Sequence, residues 1–321
     1  MIILPLRNVT GWQTWTLVAV CAVLASCGGG GGGGGASSPA AANQPPVASA
    51  KLLGEAVLQA TTVFDSSASS DPDGSIASRR WDYGDGQIGS ADSHIYTATG
   101  NYTASLTVTD NAGSSTSTSV SVKVAKCSAE GTVAAGLSPF TTLCVQTSLG
   151  EMVVEVFENL APVTAANFLR YADEGFYSGL IFHRVFHTGI HVIQAGAYLP
   201  GPAYKAPTHA NIVLENQNGL KNAEYTLAMA RATLPDTANS QFFINLVTNT
   251  ALDYNAAVSG PNGYAVFGKV LTQGGGTAVV DAIGAVATHT VASVANAAAP
   301  SQTISDVPAQ DIVIRSVVRM R

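Results

Sequence analysis

Eight consecutive glycines, Gly28 to Gly35, divide this chain before any folding argument begins. A residue without Cβ loses the most backbone freedom on ordering, so such a run builds neither helix nor strand. Serine, alanine and proline extend it to about Gln44, where Pro45-Pro46 ends a stretch with nothing to bury. Whatever packs a core lies downstream. With 321 residues in all, that remainder is long enough for two domains.

Upstream, Arg7 is the only charge ahead of an apolar run from Trp15 to Leu24. The run is too short to span a bilayer comfortably and reads as a secretory signal. It ends in Leu24-Ala25-Ser26-Cys27, which resembles a bacterial lipobox. In such signals residues 1–26 are removed and the Cys27 thiol carries lipid. Residues 27–44 then form a flexible tether off the membrane. An ordinary signal cleaved nearby is the alternative. Glycine directly after Cys27, in place of aspartate, resembles lipoproteins sorted to the outer membrane. The implied location is the bacterial cell envelope, lipid-anchored at the outer membrane and facing the periplasm, with the bilayer itself a partner through Cys27.

Only 11% of residues are charged against 46% hydrophobic, and the formal net charge is −6 with no basic cluster, so nucleic acid is a poor partner. Cys21 leaves with the signal and Cys27 takes lipid, which leaves Cys127 and Cys144. An exported compartment permits a disulfide between them. A loop of that size stabilises by about 3 kcal/mol in chain-entropy reasoning. Two free thiols are the other option, and a metal site lacks further ligands nearby.

Residues 45–125 show short alternating strands broken by turns. Ser70-Asp71-Pro72-Asp73-Gly74 and Trp81-Asp82-Tyr83-Gly84-Asp85-Gly86 are turn sequences, while Leu106-Thr107-Val108 and Val120-Ser121-Val122-Lys123-Val124 alternate. The pattern predicts a β-sandwich. These motifs, with Gly100-Asn101-Tyr102-Thr103, resemble the polycystic-kidney-disease (PKD) type of immunoglobulin-like domain, a spacer or binding module whose ligand, protein or glycan, the sequence leaves open. Asp71, Asp73, Asp82 and Asp85 suit either a calcium ion or, as the favoured reading, turn capping. Trp81 is expected in the core.

Residues 126–142 read as a linker holding Cys127, and the texture changes again from Leu143 to Arg321. A hairpin is expected around Leu149-Gly150-Glu151, a helix from Pro162 to Gly175, a second at Val279–Ile283, and a closing strand at Asp311–Ile314. Periodicity says no more than strands with some helix. The ordered motifs say more. Phe182-His183-Arg184-Val185, Ala228-Met229-Ala230-Arg231-Ala232, Gln241-Phe242-Phe243-Ile244-Asn245 and Tyr264-Ala265-Val266-Phe267-Gly268 resemble a cyclophilin over nearly all of residues 143–321. The resemblance implies an all-β-dominated chain of two domains, the second a closed β-barrel capped by two helices. It implies a peptidyl-prolyl cis-trans isomerase that acts on proline-containing polypeptides and needs no cofactor and no metal.

By that resemblance Arg184 donates to the prolyl nitrogen, with Gln194 and Gln241 fixing Arg184 and the substrate carbonyl. Val192, Phe243 and Leu252 line the proline pocket, Ala230, Arg231 and Ala232 meet the residue before proline, and Tyr264 stands beside them. Phe242 and Phe243 point to opposite sides of a strand, so only one faces the pocket. The sequence departs from the family in three places. The segment from Arg184 to Gln194 is longer than usual and leaves the aromatic wall to Ile190 or His191. Gln194-Ala195-Gly196 replaces a glycine pair. Ala251 stands where many members have an aromatic. The alternative is therefore a catalytically weak binding or chaperone protein of the same fold. His183, His187 and His191 fall at spacings of four, a metal stripe only on a helix, and this segment reads as strand and loop; His183 is expected to bond within the core.

Overall fold

A computed structural model describes residues 42–260, 262–295 and 300–320. The signal and the lipidation site at Cys27 lie outside them. Among the described residues no helix is long and apolar enough to cross a membrane.

The first folded part is a two-sheet sandwich. Its strands are β1 (Lys51–Leu53), β2 (Ala56–Val57), β3 (Thr61–Asp65), β4 (Ile76–Asp82), β5 (Ile88–Gly89), β6 (Ser93–Ile95), β7 (Gly100–Asp110) and β8 (Ser115–Ala125). One sheet runs β1-β3-β6 and the other β2-β8-β7-β4-β5. Alternation along β7 turns Ala104, Leu106 and Val108 inward, where they meet Phe64 of β3 and Trp81 of β4. Trp81 is fully buried, its ring 4.7 Å from Phe64, and its Nε1 donates to Asp92 Oδ1 at 2.8 Å. Asp82 and Asp85 act as turn caps: their Oδ1 atoms accept from the Gly84 and Gln87 amides.

Residues 126–142 are more than a linker. Helix α1 (Ala129–Leu137) forms there because Ser128 caps it, accepting from the Gly131 amide at 3.0 Å, and Glu130 sits in its first turn. Its small residues Gly131, Ala134 and Ala135 are buried beside the disulfide that joins Cys127 and Cys144.

The second part holds β9 (Thr141–Thr147), β10 (Gly150–Val156), helix α2 (Pro162–Asp173), β11 (Arg184–Phe186), β12 (Val192–Ala195), β13 (Tyr198–Leu199), β14 (Ala203–Tyr204), β15 (Thr226–Met229), β16 (Phe242–Asn245), β17 (Val266–Val270), helix α3 (Gly276–Gly284), β18 (Thr288–Ala292), β19 (Thr303–Pro308) and β20 (Ile314–Arg319). The expected hairpin is β9-β10, and both expected helices are present. The closing strand starts three residues later than the sequence suggested, because its ladder with β9 begins at Ile314 opposite Thr147.

Eight strands form one antiparallel sheet in the order β11-β12-β16-β15-β17-β10-β9-β20. The closed barrel is corrected by this order, since β11 and β20 remain two ends. The reason is local. Residues ahead of β11 turn toward β12, with the His183 amide donating to Gln194 O, so the meeting with the other end is the bridge of Ile181 with Val313 and the Gly179 amide on Ile314 O, short of a strand ladder. Between the faces sit Phe168 and Tyr171 of α2, Phe242 of β16, Phe267 of β17, and Val280 and Ile283 of α3. Helix α2 lacks a side-chain cap of its own. Glu215, far along the chain, supplies it by accepting from the Val163 and Thr164 amides and the Thr164 hydroxyl.

Candidate active site

Register builds the site. Arg184 lies opposite Gln194, Gln194 opposite Phe243, Phe243 opposite Ala228, and Ala228 opposite Val266. Residues opposite one another on neighbouring strands share a face, so a guanidinium, an amide and an aromatic ring stand in one row on β11, β12 and β16. Phe242, one residue earlier, turns the other way and packs on Phe168 and Tyr177 in the core.

Above this row is a cavity of about 180 Å³ lined by Arg184, Ile190, Val192, Gln194, Ala230, Arg231, Phe243, Leu252 and Tyr264. Val192, Phe243 and Leu252 form an apolar cluster with Ile190 and Tyr264 packed against it. The Phe243 and Tyr264 rings meet edge to face at 5.4 Å. Arg231 lies 4.9 Å above Tyr264, and its Nε and Nη2 donate to Gly263 O at 3.1 and 3.0 Å. A cation stacked on one wall thus fixes that wall's ring.

Two residues stand differently from the sequence reading. Ala232 does not line the cavity: its amide donates to Thr237 Oγ1 and its carbonyl accepts from Arg231, so its backbone is already bonded. Gln194 and Gln241 bond one another, Nε2 to Oε1 at 2.9 Å, which places Gln241 behind the lining. The contact that reaches Arg184 is instead an ion pair, Nε to Asp306 Oδ2 at 3.6 Å, while the guanidinium carbon lies 4.3 Å above the Phe186 ring.

The longer segment after Arg184 resolves in favour of Ile190, which takes the wall position. Asn249 holds His191 in place, accepting from its amide and donating to its carbonyl. The role of Asn249 was not visible in sequence, though the chain's surplus length after Arg184 marked where to look. Ala251 is exposed beside buried Leu252. Gly196 is required as glycine, because at φ 101° a Cβ would meet the Ser240 carbonyl. His187 Nε2 donates to Gly284 O, and its ring meets that of His191 edge to face at 5.2 Å.

His183, next to Arg184 but on the opposite face, is buried against Tyr198, and its Nδ1 has no hydrogen-bond partner. Burial, with the Arg184 charge adding, pushes its pKa from 6.5 down to about 3. A backbone hydrogen bond with Ile181 opposes that fall without overcoming it. The folded state keeps this ring neutral while the unfolded chain binds a proton below pH 6.5. Its stabilising contribution is therefore whole above that value and lost as pH falls toward 3. The unfolding free energy of the wild type, from urea titrations, should drop more steeply between pH 7 and 4 than that of His183→Gln, by up to about 1.4 kcal/mol per pH unit. Parallel curves for the two proteins would remove His183 from the acid response.

A cleft with an apolar floor and two arginines, Arg184 and Arg231, thus lies on an antiparallel sheet with two packed helices. Comparison with known families gives its class. The cyclophilin type peptidyl-prolyl cis-trans isomerase family matches residues 142–318, more than half of the chain, and the PKD domain matches residues 43–124. Peptidyl-prolyl cis-trans isomerase B of Escherichia coli (strain K12) is 42% identical over 171 residues, covering 53% of this chain and 94% of the relative. Peptidyl-prolyl cis-trans isomerase cyp18 of Streptomyces antibioticus is 41% identical over 176 residues, covering 55% and 96%. A peptidyl-prolyl cis-trans isomerase of Acinetobacter baylyi (strain ATCC 33305 / BD413 / ADP1) is 44% identical over 150 residues, covering 47% and 75%. The chain belongs to the cyclophilin-type family and is a peptidyl-prolyl cis-trans isomerase, with polypeptides as its substrates.

Proposed function

We propose that this isomerase works on exported polypeptides at the bacterial envelope, and that Arg184 is the group that lowers the rotational barrier. Resonance sets that barrier at about 18–20 kcal/mol, so the unassisted bond turns over in tens to hundreds of seconds. No bond breaks, and no nucleophile is needed. Rotation takes the nitrogen out of conjugation and gives it a lone pair. A fixed donor aimed at that nitrogen binds the twisted state better than the planar one. Arginine suits the task because it stays charged and its donors are rigid. The observation that carries the reading is the row Arg184, Gln194, Phe243: a cation at the rim of a cavity whose floor is apolar and shaped by Val192, Leu252 and Ile190. Ala230 and Arg231 lie where the residue before proline would pass, and Gln241 holds Gln194.

A protease-coupled assay on an Ala-Pro peptide tests this. Equal rates for wild type and Arg184→Ala, or none above background for either, would sink it. The second reading, a weakly catalytic holder of proline segments, is favoured by exposed Ala251, where an aromatic wall is missing. It predicts peptide binding without turnover in the same assay.

The export setting rests on the sequence ahead of the tether. Cys27 carries the lipid, the glycine run holds the two domains off the outer membrane, and the PKD-type sandwich serves as a spacer. Palmitate labelling should reach the wild type and not Cys27→Ser; equal labelling would remove the anchor.

A further inference from the structure

The hairpin β18-β19 carries a feature that its own stability does not explain. Between the pairs His289–Val307 and Val291–Ile304 its register shifts. Ser305 and Asp306 there oppose the single residue Thr290, which is a β-bulge. Bulges re-aim a side chain beside a site. Asp306 sits at φ 60°, in the left-handed region, where glycine is the unstrained choice. The bulge points its carboxylate at Arg184, Oδ2 to Nε at 3.6 Å, and the Ser305 hydroxyl donates to that same oxygen at 2.7 Å. β19 packs beside β11, which carries Arg184. The two side chains are 37% and 32% exposed, so the pair is too well solvated to repay the backbone strain through stability. Strain kept without a stability return marks a functional constraint.

We propose that Asp306 is a positioning residue for the isomerase reaction. It holds Arg184 at the stem side of the fork, by Nε, against the Phe186 ring, and leaves the two Nη groups for the twisted prolyl nitrogen. The inference rests on the role assigned to Arg184. A guanidinium on a long flexible stem otherwise spreads over several rotamers, and each misplaced one forfeits the contact made only in the transition state.

The test is kinetic, on the full-length protein. Asp306→Asn keeps a side chain that tolerates the left-handed region and removes the charge. Asp306→Gly removes the strain as well, so its hairpin folds at least as readily and its melting temperature should not fall. Both should lower kcat by about tenfold with KM within about twofold. In an Arg184→Ala background, Asp306→Asn should cost nothing further. Wild-type or raised kcat in both Asp306 variants, with Arg184→Ala impaired, overturns the inference alone. An equal loss from Asp306→Asn with and without Arg184 also overturns it, since that is a structural effect. Wild-type activity in Arg184→Ala overturns the role of Arg184 and this inference with it.

Discussion

Arg184→Ala is expected to lower kcat/KM on an Ala-Pro peptide by about 10²–10³-fold, the cost of deleting one preorganised donor. At about 1.4 kcal/mol per decade this is roughly 3–4 kcal/mol of the rotational barrier. The loss should fall on kcat. Ground-state grip comes from Phe243, Val192 and Leu252, and the substitution leaves them in place. The fold should survive, because Arg184 lies at the rim with a side chain 37% exposed. Arg184→Lys should recover little, since an ammonium presents a point charge on a flexible stem where the guanidinium presents a fork. Stopped-flow measurement of cis-to-trans conversion on both variants checks this. A kcat/KM within about threefold of wild type for alanine would assign the barrier lowering to the apolar cleft and its bound geometry alone.

What the sequence disclosed, and what it withheld, follows from range. The β9-β10 hairpin and helices α2 and α3 were legible because a turn signal or a 3.6-residue period lies within each segment. The opposite faces of Phe242 and Phe243 follow from strand geometry, and their register partners confirm the alternation. Helix α1 was not legible, since glycine and alanine give no amphipathic contrast to read. Closure of the sheet was not legible either: it depends on whether the segments ahead of β11 and β20 pair, and a single bridge there does not make a ladder. The motif implies that Ala232 meets the residue before proline, yet its amide bonds Thr237 and its carbonyl bonds Arg231, partners that the motif does not contain. Asp306 reaches Arg184 through a bulge in a hairpin distant in sequence, and no local pattern announces such a partner.

Trp81→Ala should unfold the sandwich while sparing the isomerase. Removing a fully buried indole costs about 3–5 kcal/mol, from lost burial and the cavity left behind. The change also takes the Nε1 donor from Asp92, although the Ser66 hydroxyl still serves its other oxygen. A domain of roughly eighty residues has only about 4–12 kcal/mol to lose, at 0.05–0.15 kcal/mol per residue. The sandwich core of Phe64, Trp81, Tyr96 and Leu106 shares no residue with the core that Phe168, Phe242 and Phe267 build under the active site. Hydrogen bonds that join the two parts are the Ala129 amide on Glu55, Arg315 Nη1 on Gln59 O, and Lys126 Nζ on Arg319 O. Such contacts, largely at the surface, couple folding weakly. Circular dichroism against urea should therefore show an early transition moved to lower denaturant and a later one unchanged, with kcat/KM at 25 °C equal to wild type. One shared transition, with activity lost as the sandwich melts, would mean that those few polar contacts bind the two cores into a single cooperative unit. The sandwich would then be a structural support of the active site and no longer a spacer.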